Sequence, residues 1–337
     1  MLHHQHLAHH PRHRRRLVVA ATAAFTMVLG ACGSDKAAPV AASTAVTAST
    51  TAASAPLLTT VEPTAETAST AAAAGVGATF DQALADALPK AIRDKGVLTL
   101  ATDPTDPPLE FYNEANKLVG AEVDLAKALG VVFGIKVELV PSKFDAIIPG
   151  IQAGRFDGSL SGFADRVERQ KVVDFVDFFT SSRGYLVKAD RVDELTAITD
   201  LCGRKVAVAK GTTMADAIGG LNGKCTAAGS GAIDGQIYPD QSACVLAVQS
   251  GRADLTILSD HAALAIAQSS SGALDVILRP KEGNDINGIV LAKGDLVKPV
   301  QGAIQQMMDS GALLQIFTTW NLQKLMLTKA TVNAGVN

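Results

Sequence analysis

Between residues 80 and 322 the hydrophobic pattern keeps changing period. Short unbroken apolar runs at 97–102 (VLTLAT), 137–140, 206–209 and 255–258 have the length and β-branched content of buried strands. Residues 185–188, 236–238 and 289–292 read as further strands. Amphipathic segments separate them. In 122–133, Val123, Leu125, Ala126 and Leu129 form one apolar stripe, and 144–153 (FDAIIPGIQA) predicts a helix carrying Pro149. Helices are also predicted at 241–250 and 260–269, where Asp260 is a candidate N-cap, and two more at 297–311 and 313–322 close the pattern. Residues 80–95 read as helical in two pieces, Pro89 opening the second and Gly96 ending it. Strands alternating with helices imply an α/β fold, and the alternation runs twice.

The densest signal is 156–179, FDGSLSGFADRVERQKVVDFVDFF. Small residues at 158–162 end a buried strand, and a polar turn leads to a short helix. Asp165 is the predicted N-cap, with Glu168 completing a capping box and Arg169 one residue later. Backbone N–H groups at 162–165 together with a fixed guanidinium can converge on one anion, and a carboxylate suits that geometry. An ordinary strand–turn–helix with a surface arginine accounts for the same letters.

The chain has 337 residues, enough for about two domains, with 47% apolar and 19% charged residues, so a packed core is available to it. Charge changes the picture at the N-terminus. Arg12, Arg14, Arg15 and Arg16 precede an apolar run at 17–29 that is short for a membrane span, as in an export signal. Leu29-Gly30-Ala31-Cys32 follows and resembles a bacterial lipobox, in which Cys32 is lipidated and 1–31 is removed. The six histidines before Arg14 fall in that removed leader and are not read as a metal site. With the four leader arginines set aside, 26 bases face 33 acids, a balance that argues against nucleic-acid binding. Residues 37–74 are almost wholly Ala, Thr, Ser, Val and Pro and predict a disordered tether, the whole stretch 32–79 linking membrane to fold.

Several phrases, in order, resemble the solute-binding protein family 3 of bacterial ABC importers, the polar amino-acid binders. They are GVLTLATDPTDPPLEFYNEANKLVGAEVDLAKALG, FDAIIPGIQAGRFDGSLSGFADRVERQKVVDF, VAVAKGTT, SGRADLTILSD, NGIVLAKGD and DSGALLQIFTTWNL. The likeness covers 88–322. It implies a two-lobed, type II periplasmic-binding-protein-like α/β fold with ligand between the lobes. Residues 80–182 and 287–327 would form one lobe, 183–286 the other, and 328–337 a tail.

The resemblance also implies roles. Arg169 falls where the family grips an α-carboxylate, and Gly162 and Ala164 fall on the assisting turn, Ala164 replacing a hydroxyl residue. Phe144 would pack on the ligand side chain, or is a core phenylalanine. Asp103 would meet polar ligand groups. Asp106 stands where the family has an aromatic, so two acids would favour a cationic ligand, or Asp106 merely starts a turn. Thr212 and Thr213 would close on the carboxylate from the second lobe. Asp260 is the candidate partner of an α-ammonium, although counting from Gly251 puts Ser259 there; with Ser259 in place, a carboxylate lacking the amine fits better. A Cys202–Cys225 disulfide is permitted by export and has counterparts in relatives, and Cys244 reads as a buried free thiol.

The implied activity is a monomeric, lipid-anchored binding subunit on the outer face of the cytoplasmic membrane. It would deliver an amino acid to an ABC permease and its ATPase, with no cofactor, metal or nucleic acid. A sensor that presents ligand to a membrane receptor would share these residues. A cyclohexadienyl dehydratase-like enzyme on the same fold is the other rival; the folded region offers it one histidine, His261, and no nucleophile–base pair.

Overall fold

The structure, a computed structural model, describes residues 77–194, 198–279 and 284–336. The leader, Cys32 and the expected tether up to residue 76 lie outside the described residues.

The first lobe begins with two short helices, α1 (Gln82–Ala87) and α2 (Lys90–Lys95), then β1 (Val97–Thr102), β2 (Thr105–Asp106), β3 (Glu110–Tyr112), β4 (Leu118–Val119) and α3 (Ala121–Phe133). It continues with β5 (Lys136–Pro141), α4 (Phe144–Gln152), β6 (Gly158–Ser159), α5 (Val167–Gln170) and β7 (Val173–Ser181). The second lobe holds β8 (Arg183–Lys188), β9 (Lys205–Ala209), α6 (Thr213–Ala227), β10 (Asp234–Tyr238), α7 (Gln241–Gln249), β11 (Leu255–Ser259), α8 (Asp260–Ser269) and β12 (Leu274–Arg279). The chain returns through β13 (Asp285–Ala292), α9 (Val297–Asp309), α10 (Ala312–Thr319) and β14 (Met326–Val332).

Among the described residues each lobe is built on one main sheet. The first has the order β14-β7-β13-β6-β1-β5, with β1 parallel to β5 and β6 and with β13 antiparallel to β6 and β7. The second has the order β10-β9-β11-β8-β12, with a parallel centre and an antiparallel flank. The chain crosses between lobes at Ser181–Arg183 and again before Asp285. A small antiparallel sheet, β2-β3-β4, carries the turn at 113–117 between its last two strands.

The strand period decides where each core lies. In β9, Val206 and Val208 pack with Leu221 and Ile257 on one face, while Ala207 and Ala209 pack with Val248 and Ala262 on the other. Cys202 and Cys225 join the first face as a disulfide with Cα atoms 5.5 Å apart. Cys244 is a buried free thiol on the second face, its pKa raised by burial to about 12. The first lobe gathers Leu125, Leu129, Phe178, Phe179, Phe317 and their neighbours into one larger core.

Three expectations need correction. Residues 328–336 do not form a separate tail. Their first part is strand β14, hydrogen-bonded along β7, and beyond it the Asp177 carboxylate accepts the Ala334 N–H and the Asp165 carboxylate the Gly335 N–H. With its carboxylate spent there and on Gln170, Asp165 does not cap α5; Arg166 occupies that N-cap without a side-chain bond, so the capping box does not form. Nor does Asp260 cap α8. Ser259 is the N-cap, and Asp260 is the first helical residue.

Candidate ligand cleft

The lobes meet along a line of polar contacts. Lys210 pairs with Asp145 at 2.8 Å, Arg169 donates to the Gly211 carbonyl at 3.0 Å, and His261 faces Asp106 at 3.6 Å. Gly211, at φ +77°, lets the second-lobe turn come this close, because a Cβ there would stand 3.0 Å from the Cβ of Asp145. Between these contacts lies a cleft with about 40 Å³ of free space, adjoined by a smaller cavity with about 10 Å³.

Arg169 projects into the larger cavity from α5. Its guanidinium donates to the carbonyls of Ala164, at 2.8 Å, and Gly211, and lies over the rings of Phe144 and Phe163 at 5.7 and 5.1 Å. Those two rings are stacked at 4.2 Å. Burial lowers the guanidinium pKa to about 10; Asp216, Asp285 and Asp165 act on it from a distance. Among the described residues no carboxylate is within ion-pair reach, so the cation is held by carbonyl dipoles and ring faces alone. Its neighbour Arg166, the competing candidate, is engaged elsewhere, by Asp285 at 2.5 Å.

The turn before Arg169 differs from its expected form. Gly162 has φ +55°, and a Cβ would stand 2.6 Å from Asp106 Oδ2, so only glycine fits. Its N–H does not face a ligand: it donates to Glu122 at 3.1 Å. The Asp165 N–H likewise donates to the Ile286 carbonyl at 2.8 Å. Neither N–H can join an anion site with Arg169. Gly162 and Ala164 do line the cavity wall.

From the second lobe, Thr212 and Thr213 reach the same cavity. Thr212 caps α6: its hydroxyl accepts from the Ala215 N–H and donates to the Ala209 carbonyl. The Thr213 hydroxyl donates to the sulfur of Met214 at 3.4 Å. Ser259 lines the cleft, whereas Asp260 stands behind the wall, accepting from Ser182 at 2.7 Å and from the His261 N–H. The carboxylate expected to meet an α-ammonium is therefore a serine in this cleft. Asp285 and Asn287, on the returning strand, also line it and were not foreseen from the sequence, where the strand was read only over 289–292.

The smaller cavity is acidic. Asp103, Asp106, Glu110 and Asp240 line it beside Phe144. Asp103 accepts the Phe144 N–H at 2.9 Å and the Thr105 hydroxyl at 3.0 Å, so it also secures the start of α4. Burial raises its pKa, and Asp240 and Asp106 add to the rise. Asp106, buried at 5% exposure, lines both cavities and is no mere turn-former. Glu110 takes a bond from Ser161 at 3.1 Å, and burial raises it well above the usual carboxylate range. Asp240, the N-cap of α7, was missed as a cleft residue; a Pro-Asp-Gln-Ser helix start was its only sequence signal.

Comparison with known proteins gives a concordant result. The family model "Bacterial extracellular solute-binding proteins, family 3" matches residues 98–323. The arginine-binding protein ArgT of Corynebacterium glutamicum is 29% identical over 248 residues, covering 73% of this chain and 81% of the relative. The L-cystine-binding protein TcyJ of Escherichia coli K12 is 28% identical, covering 68% and 84%. Among solved structures, an ancestral arginine-binding protein bound to arginine superposes with a TM-score of 0.61 at 31% identity, covering 67% of this chain and 98% of that one.

Proposed function

Because the chain belongs to the bacterial extracellular solute-binding proteins of family 3, we propose that its cleft captures a polar amino acid with a cationic side chain, Asp285 in place of Ser259 meeting the α-ammonium, and that the lobes close over it. The observation that carries this reading is Arg169, a half-buried guanidinium in the cleft wall with no carboxylate partner among the described residues. A buried charge held by dipoles alone is costly unless an anion joins it, and a carboxylate meets the fork in two parallel bonds. Phe144, stacked on Phe163, offers a face for the ligand's aliphatic stem. At the far end Asp103, Asp106 and Asp240 supply negative charge for a cationic head. Relatives named for binding arginine and cystine support an amino acid.

In this reading Arg169 and Thr213 approach the carboxylate from opposite lobes. Ligand thereby touches both lobes only when they meet, and it shifts the population toward that state by its differential contacts. Cys32 carries a lipid on the outer face of the cytoplasmic membrane, and the loaded monomer hands its solute to an ABC permease and its ATPase.

Thermal melts with L-arginine, L-lysine, L-histidine, L-glutamine, L-cystine and L-glutamate test the assignment. A solute at a hundred times its Kd stabilises the fold by about 2.7 kcal/mol. L-arginine or L-lysine should raise Tm most and L-glutamate least. A best response to L-glutamate, or no response to any amino acid, would sink the assignment.

A further inference from the structure

The face between the lobes holds a second constellation, just behind the solute cavities. His261, on α8 of the second lobe, has a side chain only 3% exposed. Its Nε2 lies 3.6 Å from Asp106 Oδ1 of the first lobe and its Nδ1 lies 3.6 Å from Asp260 Oδ1 of its own helix. The edge of Phe179, on β7, closes one side, with ring centroids 6.3 Å apart. Deeper in the first lobe, Glu110 on β3 and Glu122 on α3 are fully buried, and each acts on the other's titration.

A neutral imidazole has one N–H donor and one lone-pair acceptor. Set between two carboxylates it can satisfy only one of them, and its bare nitrogen would face the other's oxygen. Imidazolium, a donor at both nitrogens, matches both. It also places a cation beside the buried Asp106 Oδ1, which, like both ring nitrogens, has no hydrogen-bond partner among the described residues. The partner comes from the opposite lobe, so it is present only when the lobes meet.

We propose that His261 is a proton-binding latch between the lobes: as they close on solute, the ring enters the space between Asp106 and Asp260 and takes up one proton, so that solute and proton bind together. This rests on the reading that the lobes close over an amino acid. Burial opposes the charge on the ring, but Asp106 and then Asp260 outweigh it and raise the pKa from 6.5 to about 9. With the lobes apart the ring loses Asp106 and returns toward its ordinary value. Glu122, raised by burial to about 7, also feels the ring's charge and releases some proton on closure, which subtracts from the uptake. Near pH 8 Glu122 is already ionised, the open form's ring is neutral and the closed form's is charged, so net uptake peaks there. The sign follows from the raised pKa: tight binding is fully present below the open form's value and is lost as pH rises through the closed form's.

Titration calorimetry on the full chain at pH 8 tests the latch. L-arginine is the first probe, and the other amino acids of the melt panel follow. Run in Tris and in phosphate, which differ in ionisation heat, the binding heats should differ by the equivalent of more than half a proton taken up. Kd should rise between pH 7 and 8.5 with a slope approaching about tenfold per unit. His261→Asn should abolish both effects. Should that variant fail to fold, the buffer comparison on the unaltered protein decides alone. Binding with equal heats in the two buffers, or uptake that persists in a folded His261→Asn protein, would overturn the latch and leave amino-acid capture standing. Absence of binding by any amino acid at any pH would overturn both.

Discussion

The Arg169 guanidinium gives N–H groups to the carbonyls of Ala164 and Gly211 and rests on the faces of Phe144 and Phe163. These contacts orient the fork without neutralising it. Arg169→Ala should therefore weaken amino-acid binding by roughly 30-fold or more, since leaving a buried ligand charge unpaired costs about 2–5 kcal/mol. Arg169→Lys keeps the charge but loses the bidentate geometry and should recover only part of the loss. Calorimetry checks both, and an Ala variant that binds within twofold of the parent would remove Arg169 from the site. Arg169 was legible because its residue type and its place after a small-residue turn carry the signal. The fate of the neighbouring N–H groups was not legible. Glu122, which takes the Gly162 N–H, and Ile286, which takes that of Asp165, arrive from distant parts of the chain. The Ser259/Asp260 question turned on where β11 ends, a one-residue matter that periodicity does not resolve.

At the scale of elements, most strand and helix runs of both lobes were readable from their own periods. Strands β7, β12 and β14 were not. MLTKATV has little apolar alternation, and what makes it a strand is the open edge of β7 together with two acids, Asp165 and Asp177, that hold the backbone beyond it. The expected leader is an element of another kind and rests on composition and order of parts alone. From it follows an expected outcome: Cys32→Ala should leave an unprocessed precursor or move the protein out of the membrane fraction. Unchanged mass and membrane retention in that variant would refute lipidation.

Across the whole molecule, buried acids set how stability depends on pH. Burial raises Glu110 well above the usual range and raises Glu122 and Asp177 each to about 7. The folded protein thus holds protons that the unfolded chain has shed, and stability falls as pH climbs from about 4.5 to 7, by up to about 1.4 kcal/mol per unit for each titrating group. Asp174 and Asp254 act oppositely. Although burial works against them, Lys293 and Asn333 hold the first below its ordinary value, and the Lys205 N–H and Arg191 the second. Their contribution is lost only as pH drops below the ordinary carboxylate range. Thermal melts without solute should give the highest Tm near pH 4.5–5 and a steady decline to pH 7.5, and Glu122→Gln should flatten that decline. A Tm that rises from pH 5 to 7.5 would contradict this. By itself the sequence determined the alternation of strands and helices, the doubled α/β plan and the arginine-bearing turn, because these are written in local periods and ordered phrases. Only the tertiary structure decided that His261 meets Asp106, that Asp240 and Asp285 enter the cleft, that Asp260 is turned out of it and that the C-terminus is a strand. Each of these depends on which distant segments supply a partner when two lobes and a sheet edge come together, and the letters flanking a residue do not carry that.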